Sequence, residues 1–383
     1  MIIGFSPLFH FHDYTISRSV LQQGIFPIPT CVRGTLPFFH PVSLPSLDIP
    51  GFFLYNGLTG ESRTYLCGNE VFSMKRQQAF GGSAKLLKGG LHCHTKRSDG
   101  AGEPDEVIRL HAKNGYDFLA LTDHRFYNYK NFAPEVPITI IPGMEFDGTF
   151  QHGHGFRCFH TVCIGPAKED GTGFDQDERV DSAKTTGQED YQPYLDAIHA
   201  KGNLTIHCHP EWSGTSARYF EKLRGNFAME IWNSGCAINC HMDMDAACWD
   251  EILGQGVKIY GVAVDDGHGM GDHCNGWVRV NAENKISAIL DALKDGKFYS
   301  SCGPEIYDFY VDGGKAVIDC SPVSAVRLQS DMHPTRIVTS ADGSLTHAEI
   351  SMNGWPGDYR YVRMTVIDRD GKFAWTNPIW TED

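Results

Sequence analysis

At 383 residues the chain exceeds the size at which a single hydrophobic core keeps growing, so two or three domains are expected. A formal charge of -14 argues against a sequence-independent nucleic-acid binder, which draws its affinity from basic residues that neutralise phosphates. It leaves room for a small anion, because bound divalent cations reverse the local field of a carboxylate-rich site.

Twelve cysteines are spread through the chain without a Cys-x-x-Cys pair, which points to reduced thiols. The N-terminus lacks a basic and then apolar signal, and no apolar run approaches the ~20 residues that span a bilayer, so a cytoplasmic protein without a membrane partner is expected.

Residues 1–88 are rich in Phe, Pro, Gly and Ser, with extended-looking runs at 51–55 and 63–66, and read as a β-rich or irregular extension. From 89 to 302, apolar strand-like runs alternate with amphipathic helices, the pattern of parallel βα units. The spacing predicts strands over 86–91, 117–121, 138–141, 160–164, 204–207, 228–232 and 257–264. One helix opens at Pro104 and stops at Asn114-Gly115; another places Ile286, Ile289, Leu290 and Leu293 on one face and stops at Gly296. Seven such units suggest a barrel. Residues 165–190 are acidic and Gly-rich and read as a surface loop near its mouth. After Gly303 the helical period ends, and short runs at 316–318, 323–328, 346–350 and 361–366 predict a small antiparallel β-domain over 303–383.

Chemistry-bearing residues gather at the predicted strand ends. Leu91-His92-Cys93-His94-Thr95 comes first, and in an extended strand residues two apart share a face, so His92 and His94 can reach one ion together. Asp99 returns in Ser98-Asp99-Gly100. Then come Thr122-Asp123-His124, Pro142-Gly143-Met144-Glu145, His160, His207-Cys208-His209-Pro210 and Asp265-Asp266-Gly267-His268. A lone strand histidine is ordinarily a hydrogen-bonded structural residue. Successive strand ends each offering His or a carboxylate are hard to explain that way, since this is the face on which barrels build active sites.

As an ordered set these motifs resemble the PHP (polymerase and histidinol phosphatase) family, over residues 89–302. The tail, with Tyr299-Ser300-Ser301-Cys302-Gly303-Pro304-Glu305 and Ala374-Trp375-Thr376-Asn377-Pro378, is similar to a stand-alone subgroup. The resemblance implies a distorted (β/α)7 barrel with β-rich extensions at both ends. It also implies two or three divalent ions: one held by His92, His94, Glu145 and Asp266, a second bridged by Glu145 to His160 and His209, a third held by Asp99, His124 and His268. Imidazole and carboxylate ligands suit zinc, manganese or iron, and no thiol is required, so Cys93 and Cys208 are expected to be bystanders. Motif spacing favours His209 over His207 and Asp266 over Asp265. His152 and His154 fall in a loop-like stretch.

The expected activity is hydrolysis of a small phosphorylated metabolite or nucleotide through a metal-bridging hydroxide, with Glu145 and Asp266 positioning it. Arg125 is the candidate cation for the phosphate, and Trp212 and Trp277 are candidates for stacking a base or sugar. Two alternatives stand beside this: a metal-dependent hydrolase of an amide, lactone or other carbonyl, and a non-catalytic, metal-stabilised binding module. Homo-oligomerisation is left open.

Overall fold

The structure is a computed structural model, and it describes residues 76–81, 86–152, 154–168, 173–220, 222–333, 335–355 and 359–381. The runs at 51–55 and 63–66 lie outside the described residues. Among those described, no helix is long and apolar enough to cross a membrane.

The class is mixed α/β. One six-stranded sheet runs in the order Tyr260–Val264, Asn226–Asn233, Leu204–His207, Gly155–Ile164, Gly143–His152, Ala183–Lys184. A ten-stranded sheet runs Arg336–Thr339, Ala325–Gln329, Tyr361–Ile367, Phe373–Thr376, Phe298–Ser301, Trp277–Val280, Leu87–Gly90, Phe118–Leu119, Thr139–Ile140, with Ile379–Trp380 also paired to Tyr361–Ile367. A four-stranded sheet joins Gln77–Gln78, Ile306–Asp312, Lys315–Val323 and Leu345–Ser351.

The named strands divide into separate sheets with no closed barrel among them, and isolated parallel bridges at Cys93–Gly267 and His124–Glu145 link the two larger ones; what departs from seven parallel units is the direction of some pairs. Residues 142–164 supply the reason. Gly143–His152 and Gly155–Ile164 are separated by two residues, and so short a connection permits only an antiparallel pair, whereas parallel neighbours need a crossover of a dozen residues or more. Gly155–Ile164 then pairs antiparallel with Leu204–His207 as well. Parallel pairing persists where helices intervene, as between Leu204–His207, Asn226–Asn233 and Tyr260–Val264.

The 165–190 stretch is less exposed than its composition suggests. Phe174 and Ala183 are buried, and Ala183–Lys184 pairs with Gly143–His152, so part of it covers one edge of the sheet. The strands after 303 are mostly antiparallel hairpins, yet Phe373–Thr376 hydrogen-bonds to Phe298–Ser301, so one sheet runs from the PHP-like segment into the tail.

Helix ends follow local chemistry. Pro104–Lys113 begins at Glu103 with a capping box to Glu106 and ends before Gly115 at φ +75°. Beneath the site an apolar core of Leu91, Ile141, Val162, Ile206, Val262, Val264 and Ile289 fixes the strands from below.

Candidate metal centre

Alternation beyond the Leu87–Gly90 strand turns His92 and His94 to one side, with their Nε2 atoms 3.1 Å apart. Glu145 lies near the start of Gly143–His152, and Asp147, two residues on, shares its face. Asp147 pairs in register with His160, which places the His160 ring diagonally across from Glu145, with Nδ1 2.9 Å from Glu145 Oε1. The backbone of His160 accepts the N–H of Cys208, bringing the next strand end alongside, and His209 Nε2 lies 3.5 Å from the same Oε1. Asp266 follows Tyr260–Val264, its Oδ1 3.2 Å from His92 Nε2 and 3.1 Å from His94 Nε2.

The outer part of the cluster is more open. Asp99 Oδ2 lies 3.6 Å from His124 Nε2 and 3.5 Å from His268 Nε2, and His94 Nδ1 is 3.4 Å from Asp99 Oδ1. Thr95 and Ser98 donate to Asp123, so Asp123 braces the loop that brings Asp99 back. All nine residues singled out as ligands therefore meet in one volume. His209 at φ 27° and Asp266 at φ 49° stand in the left-handed region that non-glycine residues rarely adopt, a form of local strain that concentrates at functional sites.

The spacing of these contacts also suits ligands of a shared ion. Atoms about 2.1 Å from a common ion at roughly 90–110° to one another stand about 3.0–3.4 Å apart. Glu145 Oε2, Asp266 Oδ1 and His124 Nδ1 are buried without a hydrogen-bond partner. Lone pairs of two buried carboxylates and several imidazoles converge there, and a divalent cation is the group that satisfies them, so the residues fit the implied metals. Two overlapping sets, His92-His94-Glu145-Asp266 and His94-Asp99-His124-His268, each bring four ligand atoms within 4.8 Å of one another, and His124-Glu145-His160 brings three.

The charges of the cluster are tightly interdependent. Burial opposes charge on His92 and His94, but Asp266 and Glu145 outweigh it and hold both imidazoles above the usual histidine range, His94 at about 9. Burial likewise opposes the charge of Glu145 and Asp266, and the surrounding imidazoles, His92 first, keep both well below the usual carboxylate range. His160 is raised by Glu145 against its burial, whereas burial lowers His124.

His207 and Asp265 turn elsewhere. His207 packs against the Phe220 ring and is pushed down to about 3 by burial and by His209. Asp265 accepts three backbone N–H groups, from Cys274, Asn275 and Gly276. The Cys93 thiol donates to Ala120 O and that of Cys208 to Ile206 O. His154 is exposed. Arg125 lies with Nε 3.4 Å from Asp147 Oδ2.

Glu230 has a part that sequence reading missed. Fully buried, it takes the Nδ1 proton of His92 at 2.6 Å and the N–H of His209 at 2.9 Å, which leaves His92 Nε2 free to ligate. Ser213 does the same for His209 Nδ1 at 2.9 Å. The only available signal for Glu230 was a charged residue inside an apolar strand run, Ala228 to Trp232.

The cluster opens into a cavity of about 320 Å³ bounded by Trp212, Gly235, Cys236, Asn239, Cys240 and Asp272 besides the cluster itself. Trp212 is 47 % exposed, its ring centroid 5.0 Å from that of His209. Trp277 is not in this wall; Lys88 Nζ sits 4.0 Å over its ring. Arg125 is also absent from the lining.

A mixed α/β scaffold that gathers histidines and carboxylates beside one cavity defines a candidate site for several metal ions. Residues 90–224, about a third of the chain, match the family model described as "PHP domain". Two solved structures are similar at a distance. One is a two-domain protein from Bacteroides vulgatus described as containing a predicted PHP-like metal-dependent phosphoesterase, 15% identical, covering 77% of this chain and 95% of that one at a TM-score of 0.41. The other is an amidohydrolase from Chromobacterium violaceum with bound sulfate and no metal, 16% identical, covering 48% and 88% at a TM-score of 0.34. No curated protein matches the chain.

Proposed function

We propose that the protein is a metal-dependent phosphoesterase acting on a small phosphorylated metabolite or nucleotide. One observation carries the reading: buried oxygens of Glu145 and Asp266 lack hydrogen-bond partners and face imidazole nitrogens at ligand spacing, at the mouth of a small cavity. His92, His94, Glu145 and Asp266 would hold one ion, Glu145 with His160 and His209 a second, and Asp99, His124 and His268 a third. Bound divalent ions would supply an acidified water and charge stabilisation for the phosphoryl oxygens.

The chain's own residues do the rest. Glu145 lies between both inner ligand sets, so its two oxygens fix their separation. Glu230 and Ser213 hold the tautomers of His92 and His209 so that the Nε2 lone pairs face inward. Trp212 offers a ring face against which a base or sugar packs while water is displaced. A volume of about 320 Å³ is at the small end of ligand pockets and suits one compact molecule.

Among the described residues the cavity wall contains no Lys or Arg, so the negative charge of a substrate would be met chiefly by bound metal. That observation favours a single phosphate over a polyphosphate, and it keeps carbonyl hydrolysis as a second reading. Chelator-stripped protein reloaded with manganese or zinc is expected to release phosphate from at least one member of a phosphomonoester and phosphodiester panel. Hydrolysis of amides or lactones with none of the phosphoesters would replace the first reading by the second.

A further inference from the structure

We propose that His111, Asp265 and His273 form a separate structural site for one divalent metal of zinc-like ligand preference, outside the cavity cluster. None of the three lines the cavity, and each offers a ligand atom within 4.8 Å of the others. All are buried, at 0 %, 1 % and 5 % exposure.

Proton bookkeeping at His111 gives the first argument. Its Nδ1 lies 2.8 Å from Val107 O, an acceptor, so Nδ1 must carry the hydrogen. In the neutral ring Nε2 is then a bare lone pair, yet it faces another acceptor, Asp265 Oδ2, at 3.3 Å. Two acceptors pointing at each other need a cation between them. A second proton on His111 would serve here, but it leaves His273 unexplained. Both ring nitrogens of His273 are buried without a hydrogen-bond partner, a rare condition for a polar group in a folded interior. The His273 ring stands edge-on to His111 at 5.3 Å between centroids, with Asp265 beside it.

Asp265 is built to present one oxygen. Its Oδ1 accepts from Asn275 N and Gly276 N, while Oδ2 takes one backbone N–H, from Cys274, and keeps a lone pair for a ligand bond. The 3.3 Å between His111 Nε2 and Asp265 Oδ2 equals the edge that two ligands about 2.05 Å from zinc subtend at a tetrahedral angle. Two imidazoles and a carboxylate with water as the fourth ligand make a common zinc set.

Such an ion would staple the Pro104–Lys113 helix to residues 265–276, the segment that delivers Asp266 and His268 to the cavity. The fit is close: a Cβ at Gly267 would fall 2.4 Å from His273 Nδ1.

The test counts metal. Full-length protein is stripped with chelator, reloaded with zinc, dialysed and assayed by inductively coupled plasma mass spectrometry. The H111Q/H273Q chain is expected to hold one zinc fewer than the parent, and an E145Q/D266N chain is expected to keep that zinc. Equal zinc in parent and a folded H111Q/H273Q chain overturns the proposal. Anomalous diffraction at the zinc edge from parent crystals decides the matter independently of how the variants fold. A peak between His111 and His273 supports the site; peaks in the cavity with none there remove it, leaving the phosphoesterase reading untouched.

Discussion

Asp265 and Asp266 are neighbours in the chain and face opposite surroundings. Asp266 meets the imidazoles of His92 and His94 and has a buried oxygen with no hydrogen-bond partner, whereas both oxygens of Asp265 are engaged by backbone N–H groups. Adjacent carboxylates with the same chemistry thus divide into one that enters the cavity cluster and one that backbone donors anchor in the loop, facing His111 and His273 instead. The lesson is that a carboxylate's part is set by whether its partners are fixed donors or free lone pairs.

Removing the poised carboxylates should have the largest effect. Glu145→Gln or Asp266→Asn is expected to lower phosphate release by at least ~1,000-fold, as loss of a group that holds the reacting centre does, while circular dichroism stays unchanged. Asp265→Ala should break the comparison from the other side. It leaves three backbone N–H groups without their acceptor, and urea unfolding is expected to register a loss of about 3–5 kcal/mol. An Asp265→Ala chain as stable as the parent would mean that the loop is held by something else.

Glu230→Gln sharpens the contrast at one remove, since Glu230 touches His92 rather than the cavity. Metal affinity is expected to fall ~10–100-fold, read by competition with a fluorescent chelator, with the fold retained.

A third buried carboxylate supplies the most graded effect, small at any one step of pH. Asp245 is pushed up to about 8 by burial, with a single backbone N–H from Glu211 pulling the other way. A carboxyl whose folded pKa lies above its unfolded value keeps its proton in the native state after the unfolded chain has lost it. Stability therefore falls as pH rises from about 4 to about 8, with a slope of at most ~1.4 kcal/mol per pH unit. Asp245→Asn should flatten urea midpoints across that window; an unchanged slope would show that Asp245 is ionised in the folded protein.

Much of the site was legible because metal ligation uses few residue types at fixed short spacings. His92-x-His94 needs only strand alternation, and Pro104, Asn114-Gly115 and Gly296 mark helix ends through their own backbone preferences. The hairpin of 143–164 was harder. Its two strands read as a ligand motif and a separate strand, because the polar, Gly-containing run at 151–155 reads as a loop. Packing of Phe174 and Ala183 was hidden by the acidic residues around them.

The sequence by itself determined which side chains are available for ligation and where helices such as Pro104–Lys113 begin and end, since both follow from local chemistry and spacing. Tertiary structure alone decided that Glu230 orients His92 and that His111 meets Asp265 and His273. Those outcomes depend on contacts between residues more than a hundred positions apart, and no local pattern encodes which distant donor will face a given lone pair.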